Sequence, residues 1–388
     1  MMKKRVLFLY SRDIEINDSG GARTTILLIK YLANHGYKCF TIFRIENFLH
    51  ENVISVCGSS NNPKDIEMAI EKYNISAIVI PEGIVLTEVA RKVVINKNVK
   101  IISALHNKPG YERSRLHILL MESMFYNDSV FKRLRAFLLL CVYPLFYSFY
   151  KWQYYFKFRK VYNLCDYLVL LSKEFIPEFC NLYNVNPKKL LAIGNPISFD
   201  EFATCEDLKS KKKNILIVAR FDERQKRLLL ALRIWESIMN RYPDWTLQII
   251  GFGRSLPIYE HYIKRHKLKN VELLGKHPPK EYYRKASIFM MTSAFEGWGM
   301  TIVEAMQMGC VPIVMDSFSS VHSIIDDGVN GVLTKDNDIV EYATKLTFLI
   351  DCIDNRNKMA SNAIEKSHTW VPDNTSNEYK KLLDKICQ

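Results

Sequence analysis

The sequence predicts an α/β protein made of two doubly wound, Rossmann-like domains in tandem. Its 388 residues exceed the usual size of one domain, about 100 to 200 residues. Short apolar runs alternate with amphipathic stretches, which is typical of parallel strands covered by helices. This alternation restarts after a polar, lysine-rich stretch at residues 200–214. Each half of the chain is therefore expected to form its own parallel sheet.

The first half contains four apolar runs of strand length. They span residues 6–10, 39–43, 77–80 and 101–105. A helical pattern follows the first run and stops at His35-Gly36, a typical helix end. Ligands of doubly wound sheets bind outside the carboxyl ends of the strands. Residues that directly follow these runs are therefore candidates for a site.

The second half repeats the pattern with five more apolar runs. They span residues 215–219, 247–250, 271–274, 288–292 and 311–314. We divide the chain into an N-terminal domain, residues 1–204, and a C-terminal domain, residues 205–372, and expect the two to face a shared cleft.

Positive charge is concentrated in one segment. The chain carries 54 Lys and Arg against 41 Asp and Glu, which implies an anionic partner: nucleic acid, phospholipid or a phosphorylated small molecule. Residues 129–165 include no Asp or Glu, and their apolar centre, 136–150, is shorter than the roughly 20 residues that span a bilayer. The composition fits an interfacial segment on an anionic membrane. It also fits a pair of packed helices whose aromatic residues belong to the core.

The cysteines and the N-terminus predict a cytoplasmic location. The nine cysteines include no C-x-x-C pair, which favours reduced thiols over disulfides or a zinc site. The first apolar run is too short for the core of a signal peptide. Five cysteines lie in apolar neighbourhoods and are expected to be buried, at positions Cys39, Cys141, Cys165, Cys180 and Cys310.

Two carboxylates and two glycines follow the apolar run at 288–292, in the sequence TSAFEGWGMTIVEAMQMG. Glu296 lies in the loop, and Glu304 lies about one turn inside the next helix. The intervening glycines let backbone amides approach a ligand, and a helix N-terminus favours phosphate. Two simpler interpretations remain: Thr301-x-x-Glu304 has the spacing of a capping box, and Glu296 fits a solvated loop carboxylate.

Four cations follow the first strand of the second half, in ILIVARFDERQKRLLLAL. Cations at a helix N-terminus oppose the helix dipole, by about 0.3 to 1 kcal/mol each, and a bound diphosphate would explain them. The guanidinium group of Arg220 can donate hydrogen bonds to two phosphate oxygens, whereas the ammonium group of Lys226 acts as a point charge. A solvated basic face fits Arg224 and Arg227 better.

These motifs, with LQIIGFG, VELLG and DDGVNGVL between and after them, resemble the donor-binding domain of glycosyltransferase family 4, a group 1 glycosyltransferase family. The resemblance covers nearly the whole second domain. It implies the GT-B fold, a nucleotide-sugar donor, retention of anomeric configuration, and neither a cofactor nor a metal. It also implies an acceptor-side N-terminal domain, with a helix at about 373–388 that packs back on it.

The resemblance assigns roles to individual residues of the second domain. Arg220 and Lys226 would bind the donor diphosphate, Glu304 the ribose hydroxyls and Glu296 the donor sugar. The backbone amides that would complete the phosphate site belong to Gly299, Met300 and Thr301.

The first domain matches the family less extensively. Gly20 and Gly21 open its first helix as the family's glycine loop does, and His106 ends the strand KIISALH, where the family often has a cleft-facing histidine. His106 would thus join Glu296, Arg220 and Lys226 as catalytic residues. The chain departs from the family where Ala219 and Arg227 replace common glycines, and a usual glycine pair is absent from MDSFSSVHSI.

The function expected from the sequence is sugar transfer from a UDP- or GDP-sugar to a glycan or lipid-linked acceptor. Such reactions build cell-surface polysaccharide, lipopolysaccharide or capsule, and the segment 129–165 would hold the enzyme peripherally on the inner face of the membrane. One alternative is a GT-B nucleotide-sugar epimerase. Another is a basic membrane- or nucleic-acid-binding protein without activity, but no stacking or groove-reading motif supports a nucleic-acid partner.

A metal site is not expected from the sequence. Asp336-Asn337-Asp338 is formally a D-x-D motif, but it precedes the helical run 339–350, and Asp338 therefore fits an ordinary helix N-cap. No H-E-x-x-H or His-Cys ligand spacing is present.

Overall fold

The computed structural model describes residues 4–15, 20–46, 48–111 and 129–387, and the chain divides into two compact units. Unit 1 comprises Met1–Asn195 and Pro372–Gln388, and unit 2 comprises Pro196–Val371. The boundary lies nine residues before the one drawn from the sequence, because residues 196–204 bond within unit 2: the Ile197 amide donates to the Trp370 carbonyl at 2.8 Å and the Ala203 amide to the Gln307 carbonyl at 3.0 Å.

Unit 1 contains a parallel sheet of seven strands, in the spatial order β3-β2-β1-β4-β5-β6-β7. In chain order the strands are β1 Arg5–Phe8, β2 Lys38–Thr41, β3 Val53–Ser55, β4 Ala77–Ile80, β5 Lys100–Leu105, β6 Tyr167–Leu170 and β7 Leu190–Ala192. The four apolar runs predicted in this half are confirmed as β1, β2, β4 and β5. Strands β3 and β7 have three residues each, too few to show a hydrophobic period.

Helices cover the sheet of unit 1. They are Gly20–Asn34, Pro63–Tyr73, Val85–Val94, Val130–Cys141, Tyr143–Leu164, Phe175–Tyr183 and Pro372–Ile386, with a 3₁₀ turn at Pro187–Lys189. The last helix packs against Gly20–Asn34 and places Tyr379, Leu382 and Leu383 in the hydrophobic core of this unit.

Unit 2 repeats the same winding with a parallel sheet of six strands, in the order β10-β9-β8-β11-β12-β13. Its strands are β8 Lys212–Val218, β9 Thr246–Ile250, β10 Val271–Gly275, β11 Ala286–Met291, β12 Val311–Asp316 and β13 Val332–Lys335. All five predicted runs are confirmed as strands. Its helices are Cys205–Lys209, Glu223–Lys226, Leu228–Ile238, Leu256–His266, Lys280–Lys285, Met300–Gln307, Val321–Ile324, Ile339–Asp351 and Ile353–Ser367, with a 3₁₀ turn at His368–Trp370.

The strand order reverses between β1 and β4 in unit 1 and between β8 and β11 in unit 2. Such a reversal opens a crevice at the carboxyl ends of the two strands, because their connections leave in opposite directions. The two motifs of the second half follow β8 and β11 directly, so the fold brings them to one edge of the sheet.

Two expectations from the sequence need correction. Cys39, Cys165 and Cys310 are buried as expected, but Cys180 is only partly buried and Cys141 is exposed, because Cys141 ends a helix whose apolar side chains face outward. The packed-core interpretation of 129–165 holds for Phe158 and Tyr162, which are buried, but it is wrong for the exposed aromatic residues: Phe131, Phe149 and Trp152 are each more than half exposed. Within the described ranges, no helix is long and apolar enough to cross a membrane.

Candidate active site

Arg220 follows strand β8 and is tied to the loop that leaves strand β11. Its Nη2 donates to Oε1 of Gln225 at 3.3 Å, and Nε2 of the buried Gln225 donates to the Phe295 carbonyl at 3.3 Å. The amide of Ala294 in turn donates to the Gln225 carbonyl at 2.7 Å. Gln225 therefore joins the two predicted motifs, and nothing in the sequence singled it out.

Lys226 and Glu296 form an ion pair between the same two motifs. Lys226 Nζ lies 2.6 Å from Glu296 Oε1, and the side chains are only 12% and 11% exposed. The interpretation of Glu296 as a solvated loop carboxylate is therefore wrong. Removing the two charges from water is unfavourable, and in a nearly buried pair the attraction between ammonium and carboxylate offsets little more than this desolvation cost. The pair holds the Lys226 ammonium group in a fixed position at the carboxyl edge of the sheet.

Arg227 lies in the left-handed region with φ of 50°, between the helices Glu223–Lys226 and Leu228–Ile238. This backbone conformation explains why glycine is common here in the family that the sequence resembles. Its Nε donates to the Thr292 carbonyl at 2.7 Å and its Nη2 to the Ser293 carbonyl at 2.9 Å, and Nη2 also pairs with Asp336 at 2.7 Å. The prediction of a solvated basic residue is wrong for Arg227, whose hydrogen bonds stabilise the loop after β11.

The helix Met300–Gln307 begins at Gly299, whose φ of 88° is left-handed. A Cβ at this position would also meet Ile302 Cδ1 at 2.9 Å, but this side-chain end can move, so the left-handed φ is what favours glycine. The N-cap residue, Gly299, makes no side-chain capping hydrogen bond, and Thr301 is the second residue of the helix, not its cap. The capping-box interpretation of Thr301 and Glu304 is therefore wrong. The first turn, with Met300 and Thr301, presents backbone amides of the kind that bind phosphate.

Glu304 is held by two hydroxyl groups. Ser198 Oγ donates to its Oε1 at 2.5 Å, and Tyr283 Oη donates to its Oε2 at 3.1 Å. Tyr283 is fully buried, and burial together with the Glu304 carboxylate raises the pKa of its hydroxyl well above the ordinary value. A carboxylate accepts about four hydrogen bonds, so these two hydroxyl groups alone do not fill the accepting capacity of Glu304. Ser198 and Tyr283 lie in no recognisable motif, and only the folded chain reveals them.

In unit 1 the predicted glycine loop and histidine are neighbours. Gly20 and Gly21 open the helix Gly20–Asn34, and a Cβ on Gly21 would lie 3.5 Å from His106 Cδ2. His106 hydrogen-bonds the side chain of Asn195, which also accepts from Thr24 Oγ1 at 3.2 Å. Asn195 follows β7 and was not predicted.

The surroundings of His106 favour the neutral form of its imidazole. Burial lowers its pKa below the ordinary value near 6.5, although the Asn195 hydrogen bond and the Glu82 carboxylate act in the opposite direction. Its Nδ1 is buried and has no hydrogen-bond partner among the described residues. A buried polar atom without a partner is costly, which points to a ligand or water that completes the site.

The D-x-D sequence has a structural role. Asp338 Oδ1 accepts from the Glu341 amide at 2.9 Å and caps the helix Ile339–Asp351, which confirms the N-cap prediction. Asp336 pairs with Arg227. In the part of the chain that the structure describes, no three His, Cys, Asp or Glu side chains come together to hold a metal ion.

Comparison with known proteins identifies the family of unit 2. Residues 199–366 match the model of glycosyl transferases group 1, which is nearly the whole of the unit. The structure of HepE from Anabaena in complex with UDP superposes with a TM-score of 0.71 at 14% identity, over 99% of this chain and 100% of that one. Unit 2 is therefore a group 1 glycosyltransferase domain, and the chain has the GT-B fold.

Two curated relatives are similar at low identity. Poly(glycerol-phosphate) alpha-glucosyltransferase of Bacillus subtilis is 22% identical over 60% of this chain and 34% of its own length. The GalNAc-alpha-(1->4)-GalNAc-alpha-(1->3)-diNAcBac-PP-undecaprenol alpha-1,4-N-acetyl-D-galactosaminyltransferase of Campylobacter jejuni is 22% identical over 59% of this chain and 62% of its own length. The chain spans about half or less of the length of several relatives that it matches, 52%, 34% and 37% in three of them.

Proposed function

We propose that this protein is a retaining glycosyltransferase that moves a sugar from a UDP- or GDP-sugar to a glycan or lipid-linked acceptor. The observation that carries the proposal is the edge of the unit 2 sheet, where the Lys226–Glu296 pair and Arg220 lie on the same pair of loops. The helix N-terminus at Gly299 follows the second of these loops. Cations and exposed amides of this kind suit a diphosphate.

Each group has a part in the reaction. The leaving diphosphate gains negative charge in the transition state, and fixed cations stabilise that charge without reorganisation. Arg220 and Lys226 supply the cations, and the amides of Met300 and Thr301 supply hydrogen bonds. Glu304 accepts the ribose hydroxyls, held in place by Tyr283. Glu296 then fixes the Lys226 ammonium and contacts the donor sugar.

The stereochemical part of the proposal is retention without a metal. Bond cleavage releases the diphosphate on the face from which the acceptor hydroxyl attacks, and a diphosphate oxygen takes the hydroxyl proton. This route needs neither a carboxylate pair spaced for double displacement nor a divalent cation. His106 of unit 1 is assigned to the reaction by the family resemblance, and its lowered pKa favours the neutral imidazole near pH 7.

The acceptor is a glycan or a lipid-linked saccharide of a cell-surface polymer. Two relatives support this class, since by their names one acts on poly(glycerol-phosphate) and the other on an undecaprenol-linked saccharide. The amylovoran biosynthesis glycosyltransferase of Erwinia amylovora, 26% identical over 58% of this chain, points to the same kind of product.

The test is a panel of UDP- and GDP-sugars incubated with the protein in chelator, with and without a lipid-linked saccharide. We expect one donor to be consumed slowly alone and faster with acceptor, and the product to keep the anomeric configuration of the donor by NMR. Inversion, or activity that returns only with manganese, would refute the retaining or the metal-free part. Donor epimerised without acceptor would favour the epimerase, and no donor consumption at all would contradict transfer.

A further inference from the structure

Two consecutive helices of unit 1, Val130–Cys141 and Tyr143–Leu164, form a feature that the transfer reaction does not use. We call them the helix pair. The last turns of the second helix anchor it: Phe158 and Val161 are buried, and the Phe158 ring lies 4.9 Å from that of Tyr183. Tyr162 Oη donates to the Asn186 carbonyl at 2.6 Å. This end of the helix pair is therefore an integral part of the unit 1 fold.

The preceding turns of the second helix expose a continuous apolar stripe. Leu145, Phe149, Trp152 and Phe156 are 77%, 58%, 59% and 50% exposed. Their spacing of four, three and four residues places them on one helix face. The rings of Phe149 and Trp152 are 6.1 Å apart, and those of Trp152 and Phe156 are 4.8 Å apart. Leaving such a stripe in water is unfavourable, so it is expected to have a partner.

The first helix adds apolar surface of the same kind. Phe131, Leu134 and Leu138 are 76%, 55% and 56% exposed at a spacing of three and four residues. Of the twenty large hydrophobic side chains exposed in the described residues, ten lie within positions 130–156. This concentration marks an interaction surface, because exposed apolar residues are normally scattered singly.

The positive charge of the helix pair favours an anionic lipid surface over a second copy of the chain as its partner. Lys132, Arg133, Arg135 and Lys151 are exposed among the apolar side chains, and positions 129–165 contain no Asp or Glu. Symmetric contact with a second copy would bring these cations against one another. A sheet of anionic lipid headgroups meets them with the opposite charge while the aromatic side chains enter the acyl boundary.

We propose that the helix pair is a membrane-docking surface that lies in the interface of an anionic lipid bilayer. Its aromatic residues insert at the level of the headgroups, where the amphipathic Trp and Tyr rings are favoured. Its lysines and arginines contact lipid phosphates. The docking holds unit 1 at the cytoplasmic face of a membrane, where lipid-linked acceptors are found. This property goes beyond sugar transfer and does not depend on it.

The tryptophans provide a local probe of docking. Of the five in the chain, Trp152 is 59% exposed, whereas Trp235, Trp245, Trp298 and Trp370 are at most 6% exposed. We expect phosphatidylglycerol-containing vesicles to shift the emission to shorter wavelength, and brominated lipids to quench it. The variant W152F, which keeps an aromatic ring, should still float with vesicles but lose both signals. Unchanged emission of a wild-type protein that floats would place the contact elsewhere and overturn the proposal.

A charge-reversal pair tests the electrostatic part in vesicle flotation. Changing Lys132, Arg133, Arg135 and Lys151 to Glu should lower partition onto anionic vesicles by at least roughly tenfold. The matched control carries the same change in charge on exposed cations of unit 2, at Lys264, Arg265, Lys267 and Lys269, and should bind like the wild type. High salt should release the wild type, because it screens these contacts.

Three results would overturn the proposal. The first is absence of binding to anionic vesicles, and the second is equal loss of binding in both charge variants. The third is a dimer, measured by light scattering, that dissociates when Phe149 and Phe156 are changed to Ser and that does not bind vesicles. Circular dichroism verifies that each variant is folded. Because flotation needs no sugar donor, failure here is separate from failure of the proposed transfer.

Discussion

The Lys226–Glu296 pair is nearly closed to solvent, and removal of either partner leaves the other charge unpaired. We expect K226A to lower kcat by about a hundredfold or more, because the cation that we propose stabilises the leaving group is lost. It should also lower the free energy of unfolding, by up to roughly 3 kcal/mol, since Glu296 then lacks its partner. Steady-state kinetics and urea unfolding measure the two effects.

The double variant K226A/E296A separates these effects. It should regain much of the stability, because no buried charge is left unpaired, but it should stay inactive. R220A should lose turnover to a similar degree with less destabilisation, as Arg220 bonds the neutral amide of Gln225. The exposed Lys264 provides the control K264A. Near-normal turnover in both K226A and R220A would rule out the diphosphate clamp.

Arg227 and Lys267 share a backbone conformation but differ in their side-chain contacts. Both have φ near 50°, and the Arg227 side chain donates to two carbonyl groups of the β11 loop. We expect K267G to stabilise the protein by up to about 1 kcal/mol, because glycine accepts this φ without strain. R227G should instead destabilise it by roughly 1 to 3 kcal/mol, since buried carbonyls lose their donor.

Thermal unfolding of both variants checks this difference. If R227G and K267G changed the free energy of unfolding by the same amount, the Arg227 guanidinium would not stabilise the loop after β11. R227A completes the comparison. It loses the same hydrogen bonds but keeps the strain, so it should be the least stable of the three, by about 1 kcal/mol relative to R227G.

His106 predicts a pH dependence of stability. Because burial lowers its pKa in the folded state, the unfolded chain binds the proton first as pH falls below about 6.5. Stability is therefore fully present above this value and is lost as pH falls toward the folded-state pKa. H106Q should flatten the decrease of the unfolding free energy between about pH 7 and pH 5, as measured by urea unfolding across this range. An unchanged slope in H106Q would contradict the prediction.

Among the secondary-structure elements, the predicted strands and the helix start at Asp338 were confirmed, whereas the start of the helix Met300–Gln307 was not predictable. The runs in both halves appear as strands because a buried parallel strand is a continuous apolar stretch. The prediction of a capping box at Thr301 was wrong because Thr301 and Glu304 both lie inside the helix. The helix begins one residue earlier, after the left-handed Gly299. Likewise, the bonds of Ser198 and Tyr283 to Glu304 join positions far apart in sequence, and no local pattern encodes them.

The helix Met300–Gln307 offers a test of the role of Glu304. E304Q keeps an acceptor for the Tyr283 hydroxyl but removes the charge, so it should weaken binding of the donor nucleotide by about tenfold or more with little loss of stability. E304A should also lose roughly 1 to 3 kcal/mol of stability, because a buried hydroxyl then lacks its acceptor. Calorimetric titration with UDP or GDP measures the affinity.

Y283F is the matched control for these variants. It removes the hydroxyl that positions the carboxylate but leaves the carboxylate itself, so affinity should fall less than in E304Q. If E304Q bound nucleotide as well as the wild type, Glu304 would be a packing residue of the helix and not a ligand of the ribose.

At the scale of the whole molecule, the double winding was predictable but the assignment of residues to units was not. Both sheets were visible as two series of apolar runs separated by a polar stretch. Residues 196–204 were assigned to the N-terminal domain from the sequence, yet their backbone bonds to unit 2. The helix pair shows the same limit, because composition alone fits both a buried and an exposed arrangement, and only the fold exposes its aromatic stripe.

The final helix, Pro372–Ile386, lies in the core of unit 1 although it follows unit 2 in the chain. Leu383 is fully buried there, and Lys4 and Tyr37 both bond Asp384. We expect L383A to cost roughly 2 to 5 kcal/mol, since it leaves a cavity. Because the two units have separate cores, this loss should be confined to unit 1.

Hydrogen exchange locates the effect. In L383A the amides of β1 and β4 should exchange faster, while those of β8 and β11 keep their protection, because local stability follows the core to which a strand belongs. K381A changes a residue that is 64% exposed on the same helix, whose surface ion pair contributes little, and should exchange like the wild type. Equal loss of protection in both sheets would mean that the two cores unfold as one cooperative unit. The helix would then stabilise the whole chain and not unit 1 alone.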